Sequence, residues 1–103
     1  MSLETDDHIQ NIKSAVLAYR VQAVAAKDRI ANNFTRSAAE RLRLRIDRQT
    51  AEKAIRSEAV TESLKKYADT ALDLIARLDQ DNILGGGVDS QMLQAAIKNF
   101  TDI

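Results

Sequence analysis

From Thr35 to Asp81 the chain runs for about 47 residues without a glycine or a proline. A helical pattern of that length exceeds an ordinary globular helix, so it reads as the spine of a helical hairpin or coiled coil. On a wheel of 100° per residue, Ala39, Leu42, Ile46, Val60, Leu64, Tyr67, Ala71, Leu74 and Leu78 share one face, the stripe an amphipathic helix buries. From Val60 onward the steps alternate four and three, as in a coiled-coil seam. Between the two halves the same face carries Gln49, Lys53 and Ser57. This interruption is either a polar layer inside one continuous helix or a joint near residues 49–57. The absence of helix breakers there favours continuity.

The spine has a marked start. Phe34 precedes Thr35, and Ser37 stands three residues before Glu40, the capping-box spacing that satisfies free amides at a helix N-terminus. Its end is marked by Asp79-Gln80-Asp81-Asn82 and then Gly85-Gly86-Gly87, where glycine's backbone entropy disfavours helix. Upstream, a first helix over residues 5–31 carries Ile9, Ile12, Val16, Tyr19, Ala23, Ala26 and Ile30 at heptad spacing. Thr5 or Asp6 is the expected cap, and Asn32-Asn33-Phe34 the expected turn into the spine. Downstream, residues 89–102 present Met92, Leu93, Ala96, Ile97 and Phe100 on one face. The fold class is therefore all-α: a long antiparallel hairpin followed by a short C-terminal helix after a glycine-rich turn, within a single domain.

Lengths lead to an expectation about assembly. A first helix of about 27 residues spans roughly 40 Å, whereas a continuous spine of about 45 spans ~70 Å. The last helix, folding back antiparallel, would cover the overhang. A layer one helix pair thick leaves apolar positions wet, namely Leu17, Val21 and Val24 on the first helix with Leu44, Ala51 and Ile55 on the spine. Contiguous exposed apolar surface marks an interface, so the expected partner is a second copy, with a homodimer completing the bundle; a break near residues 49–57 would instead allow a compact four-helix monomer and weaken this argument. The charges point the same way. The net charge is zero, but residues 32–60 hold seven basic and four acidic groups and residues 61–103 hold four and seven. The basic stretch Arg36 to Arg56 of one subunit would lie beside the acidic stretch Asp69 to Asp81 of the other.

The composition excludes much chemistry. With no cysteine there are no disulfides, no cysteine-ligated zinc and no thiol nucleophile. His8 is the only histidine, and it lacks a second imidazole or a Glu-x-x-His partner for a metal. Serines and threonines have no base at suitable spacing. Asp69 and Asp73 form a carboxylate pair one turn apart, but Arg77 follows Asp73 at i+4 and makes an ordinary surface cluster of it. Gly85-Gly86-Gly87 lacks the lysine and hydroxyl residue of a phosphate loop. No cofactor and no metal are expected, and the chain reads as non-enzymatic.

Two function classes remain. The first is a protein-protein interaction module, such as an adaptor, assembly factor, small chaperone or inhibitor, acting through helical surface as a homodimer. The second is a small nucleic-acid-associated regulator, because Arg41, Arg45, Arg48 and Arg56 cluster on one side of the spine as a ridge suited to an anionic partner. That ridge has no aromatic residues for stacking on bases. No apolar run approaches membrane-spanning length and no basic-then-apolar leader opens the chain, so no membrane partner is expected and the expected location is the cytoplasm.

Overall fold

The computed structural model describes residues 3–33, 38–83 and 90–102. They form α1 (Leu3–Asn33), α2 (Ala38–Glu58), α3 (Glu62–Ile83) and α4 (Ser90–Thr101). The fold is all-α, and α1 alone accounts for the long dimension of 47 Å at about 1.5 Å per residue. α1 begins before its expected cap and carries Asn32 and Asn33 in its last turn, so these asparagines extend the helix instead of turning it. Ser37, the expected capping position of the spine, and the Gly85-Gly86-Gly87 turn lie outside the described residues.

The spine is not continuous. It ends at Glu58 and restarts at Glu62, just past the window where a joint was one of the two readings. Thr61 supplies the restart: its Oγ1 accepts a hydrogen bond from the Leu64 amide at 3.2 Å, and its carbonyl accepts one from the Lys65 amide at 2.8 Å. A side-chain oxygen at this position satisfies an amide that has no partner in the first helical turn. Val60 closes the turn by donating its amide to the Glu58 carbonyl at 2.9 Å. The chain thus reverses in three residues with neither glycine nor proline.

The physical reason for the break lies in the phase of the apolar faces. Leu44, Ala51 and Ile55 are the buried residues of α2, and on a continuous helix they would stand roughly half a turn around from Leu64, Ala71, Leu74 and Leu78. All seven are buried. One straight helix cannot turn both sets toward one core. Reversal at residues 59–61 lets it, and leaves Leu42, Ile46 and Val60 exposed. These three were read as seam because they lie in phase with α3.

α2 packs against both α1 and α3, and α3 packs against α1 and α4. The His8–Glu58 contact joins the start of α1 to the end of α2, which makes that pair antiparallel. Tyr19 and Arg48 both reach Asp79, placing α3 parallel to α1. The expected stripe of α1 is present, with Ile12, Val16, Tyr19, Ala23 and Ala26 buried. The first four of these meet Ile55 of α2, Leu64, Ala71, Leu74 and Ile75 of α3, and Leu93, Ile97 and Phe100 of α4 in one cluster. The regular seam from Leu64 to Leu78 is therefore covered within the chain, and no overhang exists.

α4 folds back antiparallel on α3, as its sequence suggests. The rings of Tyr67 and Phe100 stack with centroids 4.4 Å apart and planes 20° from parallel. The Tyr67 hydroxyl donates to the Phe100 carbonyl at 3.3 Å. Burial pushes the Tyr67 phenol up to about 12, because removing water disfavours the phenolate.

Candidate functional site

Six apolar residues were expected on an outer face, and the structure divides them. Leu17, Val21 and Val24 are 40%, 66% and 46% exposed. They lie along α1 on the side opposite its core stripe, with Arg20 and Ala25 beside them. Leu44, Ala51 and Ile55 belong instead to the interior, with Ile55 wholly inaccessible. The reading of these three as an interface is corrected by the break, which turns their side of α2 toward the core.

The arginine ridge is also divided. Arg48 lies between two carboxylates: its Nε donates to Glu52 Oε1 at 2.8 Å and its Nη1 to Asp79 Oδ2 at 2.7 Å. Partial burial by itself would lower the basicity of Arg48. The hydrogen bond and charge of Glu52, together with the charge of Asp79 and its hydrogen bond, outweigh that and hold the guanidinium above its ordinary value. Arg56 reaches Glu52 Oε2 at 3.1 Å. Of the four ridge residues, Arg48 and Arg56 are therefore committed to carboxylates, while Arg41 and Arg45 are exposed on α2. The basic and acidic stretches do meet, but through Arg48 and Asp79 of the same chain. Their complementarity steers α2 onto α3 and does not require a second subunit.

Asp79 is a junction of three helices. Beside Arg48 it accepts a hydrogen bond at 3.3 Å from the hydroxyl of buried Tyr19. A second polar cluster ties the opposite end of the bundle, where Glu58 takes His8 Nδ1 on Oε2 and the Asn11 amide at 3.1 Å on Oε1. His8 is half-buried in that cluster and works as a clasp between α1 and α2. Sequence reasoning missed this role because Glu58 lies 50 residues away and only the reversal of the chain brings it near. Asp69 and Asp73 are exposed on α3, away from both clusters.

A groove of about 240 Å³ runs between α1 and α2, lined by Ala15, Ala18, Tyr19 and Gln22 on one side and Asp47, Thr50, Ala51 and Ala54 on the other. Asp47 is half-buried, and its Oδ2 is closed off from solvent with no hydrogen-bond partner among the described residues. Nothing in the spacing of Asp47 singled it out, since Arg43 one turn earlier supplied an obvious mate.

Among the described residues, no group of three or more His, Asp or Glu side chains is arranged to hold a metal ion, and no helix is long and apolar enough to cross a membrane. The chain matches no family model, no curated protein and no solved structure.

Proposed function

We propose that this chain is a non-enzymatic protein-protein interaction module that acts as a homodimer through the outer face of α1. One observation carries the reading. α1 fills the core with one stripe and holds a second stripe, Leu17, Val21 and Val24, in solvent. Leaving aliphatic side chains wet costs roughly 25 cal/mol per Å² of apolar area relative to burying them, so a contiguous set of this kind fits a partner surface.

Antiparallel pairing of two α1 helices about Arg20 and Val21 sets Leu17 of each copy opposite Val24 of the other. It also runs along the longest helix of the bundle, which suits the area a specific interface needs. A dimer built this way presents the remaining helical surface, including the exposed Leu42 and Ile46 of α2, to further proteins as an adaptor, assembly factor, small chaperone or inhibitor would. The nucleic-acid reading has less support, because Arg48 and Arg56 are neutralised by Glu52 and Asp79.

Light scattering on a sizing column over a hundredfold loading range tests the proposal. A mass of about 23 kDa, twice the 11.4 kDa chain, is expected for the native protein. Val21→Glu should return it to a monomer with unchanged helicity. A native chain that stays at 11.4 kDa throughout would overturn the dimer.

A further inference from the structure

α2 carries two apolar faces, and the bundle uses one of them. Leu44, Ala51 and Ile55 are buried, while Leu42 and Ile46 are 58% and 52% exposed. At about 100° per residue the exposed pair points almost directly away from the buried three. Ala39, Leu42, Ile46, Gln49 and Lys53 succeed one another at alternating steps of three and four, the a and d positions of a heptad seam. All five are exposed. The seam is aliphatic through Ile46 and polar from Gln49 on.

The flanks of the seam specify what covers it. In the same register Arg43 and Arg45 fall at e and g, where side chains pair with charges on a facing helix and select it. Both are exposed, as is Lys53, and none of the three has a carboxylate mate among the described residues. A second copy of α2 supplies none: the arginines would face Ala38 and Thr50 in a parallel pair and one another in an antiparallel pair. α3 exposes Asp69 and Asp73 but no large apolar side chain among the described residues to fill the seam. Phosphates would engage the arginines and leave Leu42 and Ile46 wet, and two aliphatics without an aromatic residue give little hold at a lipid interface.

We propose that the outer face of α2 docks an acidic heptad helix of another protein. Its aliphatic residues pack on Ala39, Leu42 and Ile46, and its glutamates face Arg43, Arg45 and Lys53. The proposal rests on the reading of the chain as an interaction module and names the partner's chemistry. It does not need the dimer, because this seam lies on α2 and the dimer stripe on α1.

The probe is a fluorescein-labelled peptide of about three heptads with leucine at a and d and glutamate at e and g, and its control carries lysine at e and g. Anisotropy on titration with the full chain should show saturable binding of the acidic peptide, about tenfold or more tighter than the lysine peptide and weakening as salt is added. Exchanging both arginines, Arg43→Glu with Arg45→Glu, should reverse the preference, an outcome that unfolding cannot produce. Ile46→Ser should weaken binding of the acidic peptide by about tenfold with unchanged circular dichroism. Val21→Glu, which removes the dimer contact, should bind the acidic peptide as the native chain does, so loss of the dimer and loss of this site are read separately. No binding, equal affinity for the two peptides, a charge exchange that lowers both alike, or loss of binding in Val21→Glu would overturn the docking site. Tighter binding of duplex DNA or of phosphatidylserine vesicles than of the acidic peptide would overturn it as well.

Discussion

Arg48 of α2 and Asp79 of α3 stand 2.7 Å apart across the bundle, and the same carboxylate holds the hydroxyl of Tyr19 from α1. One side chain therefore registers three helices against one another. Asp79→Ala should cost about 1–3 kcal/mol, because it removes the acceptor of the Tyr19 hydroxyl's hydrogen bond as well as breaking the ion pair. Thermal melting reads this as a fall of roughly 4–8 °C per kcal/mol for a domain of this size. A double-mutant cycle between Arg48→Ala and Asp79→Ala should give a coupling of only about 0.2–1 kcal/mol that shrinks with added salt, since both groups are partly exposed.

The turn between α2 and α3 depends on the Thr61 hydroxyl at the start of α3. Thr61→Ala should lower stability by about 0.5–2 kcal/mol, whereas Thr61→Ser should stay close to native. Chemical denaturation with a fitted midpoint distinguishes them. Equal stability of the two variants would show that the turn is held by packing alone.

Burial on α2 has a direct mutational readout. Ile55 is wholly inaccessible, so Ile55→Ala should cost about 2–5 kcal/mol, a large share of the stability of a small domain. Val21 is 66% exposed, so Val21→Ser should change the stability of the monomer by less than about 0.5 kcal/mol. If the two costs were reversed, the assignment of core and surface on these helices would be wrong.

Stability should fall at alkaline pH through Tyr67. Its phenol ionises near 10.0 in a free chain and is pushed up to about 12 by burial. Below the lower value both states hold the proton and the pH has no leverage. Between the two, the unfolded chain releases the proton while the native one keeps it, so raising the pH draws the equilibrium toward unfolding. Below this window the denaturation midpoints of native protein and Tyr67→Phe should keep a constant offset, and across it the native midpoint should fall relative to that of the variant. Parallel pH profiles would exclude Tyr67 as the cause.

Much of the fold is legible in the residues. The heptad steps of α1 from Ile12 to Ala26, those of α3 from Leu64 to Leu78, and Leu93, Ile97 and Phe100 of α4 pack into the core, whereas Met92, expected on the same face of α4, is 67% exposed. The division of the spine was not legible, for a physical reason. Without glycine or proline, the reversal is marked only by the Thr61 cap and by a change in the phase of the apolar residues. Leu42 and Ile46 disguised that change, because they fall in phase with α3 while facing solvent. The interface residues followed from the same phase choice, so Leu17, Val21 and Val24 emerged at the surface and Leu44, Ala51 and Ile55 inside. Pairings such as His8 with Glu58 depend on which helix ends meet, and residue spacing carries no trace of them.

α4 packs chiefly on α3, with the Tyr67–Phe100 stack near one end of their contact. A helix of 12 residues is too short to persist in water by itself, so release from α3 means melting. Its amides should therefore exchange with deuterium through a sub-global opening that leaves α1, α2 and α3 protected. In that opened species Tyr67 loses the ring that covers it, Phe100. The bundle thus contains its least cooperative unit at its C-terminal end, with a free energy of opening set by one helix pair and not by the whole domain.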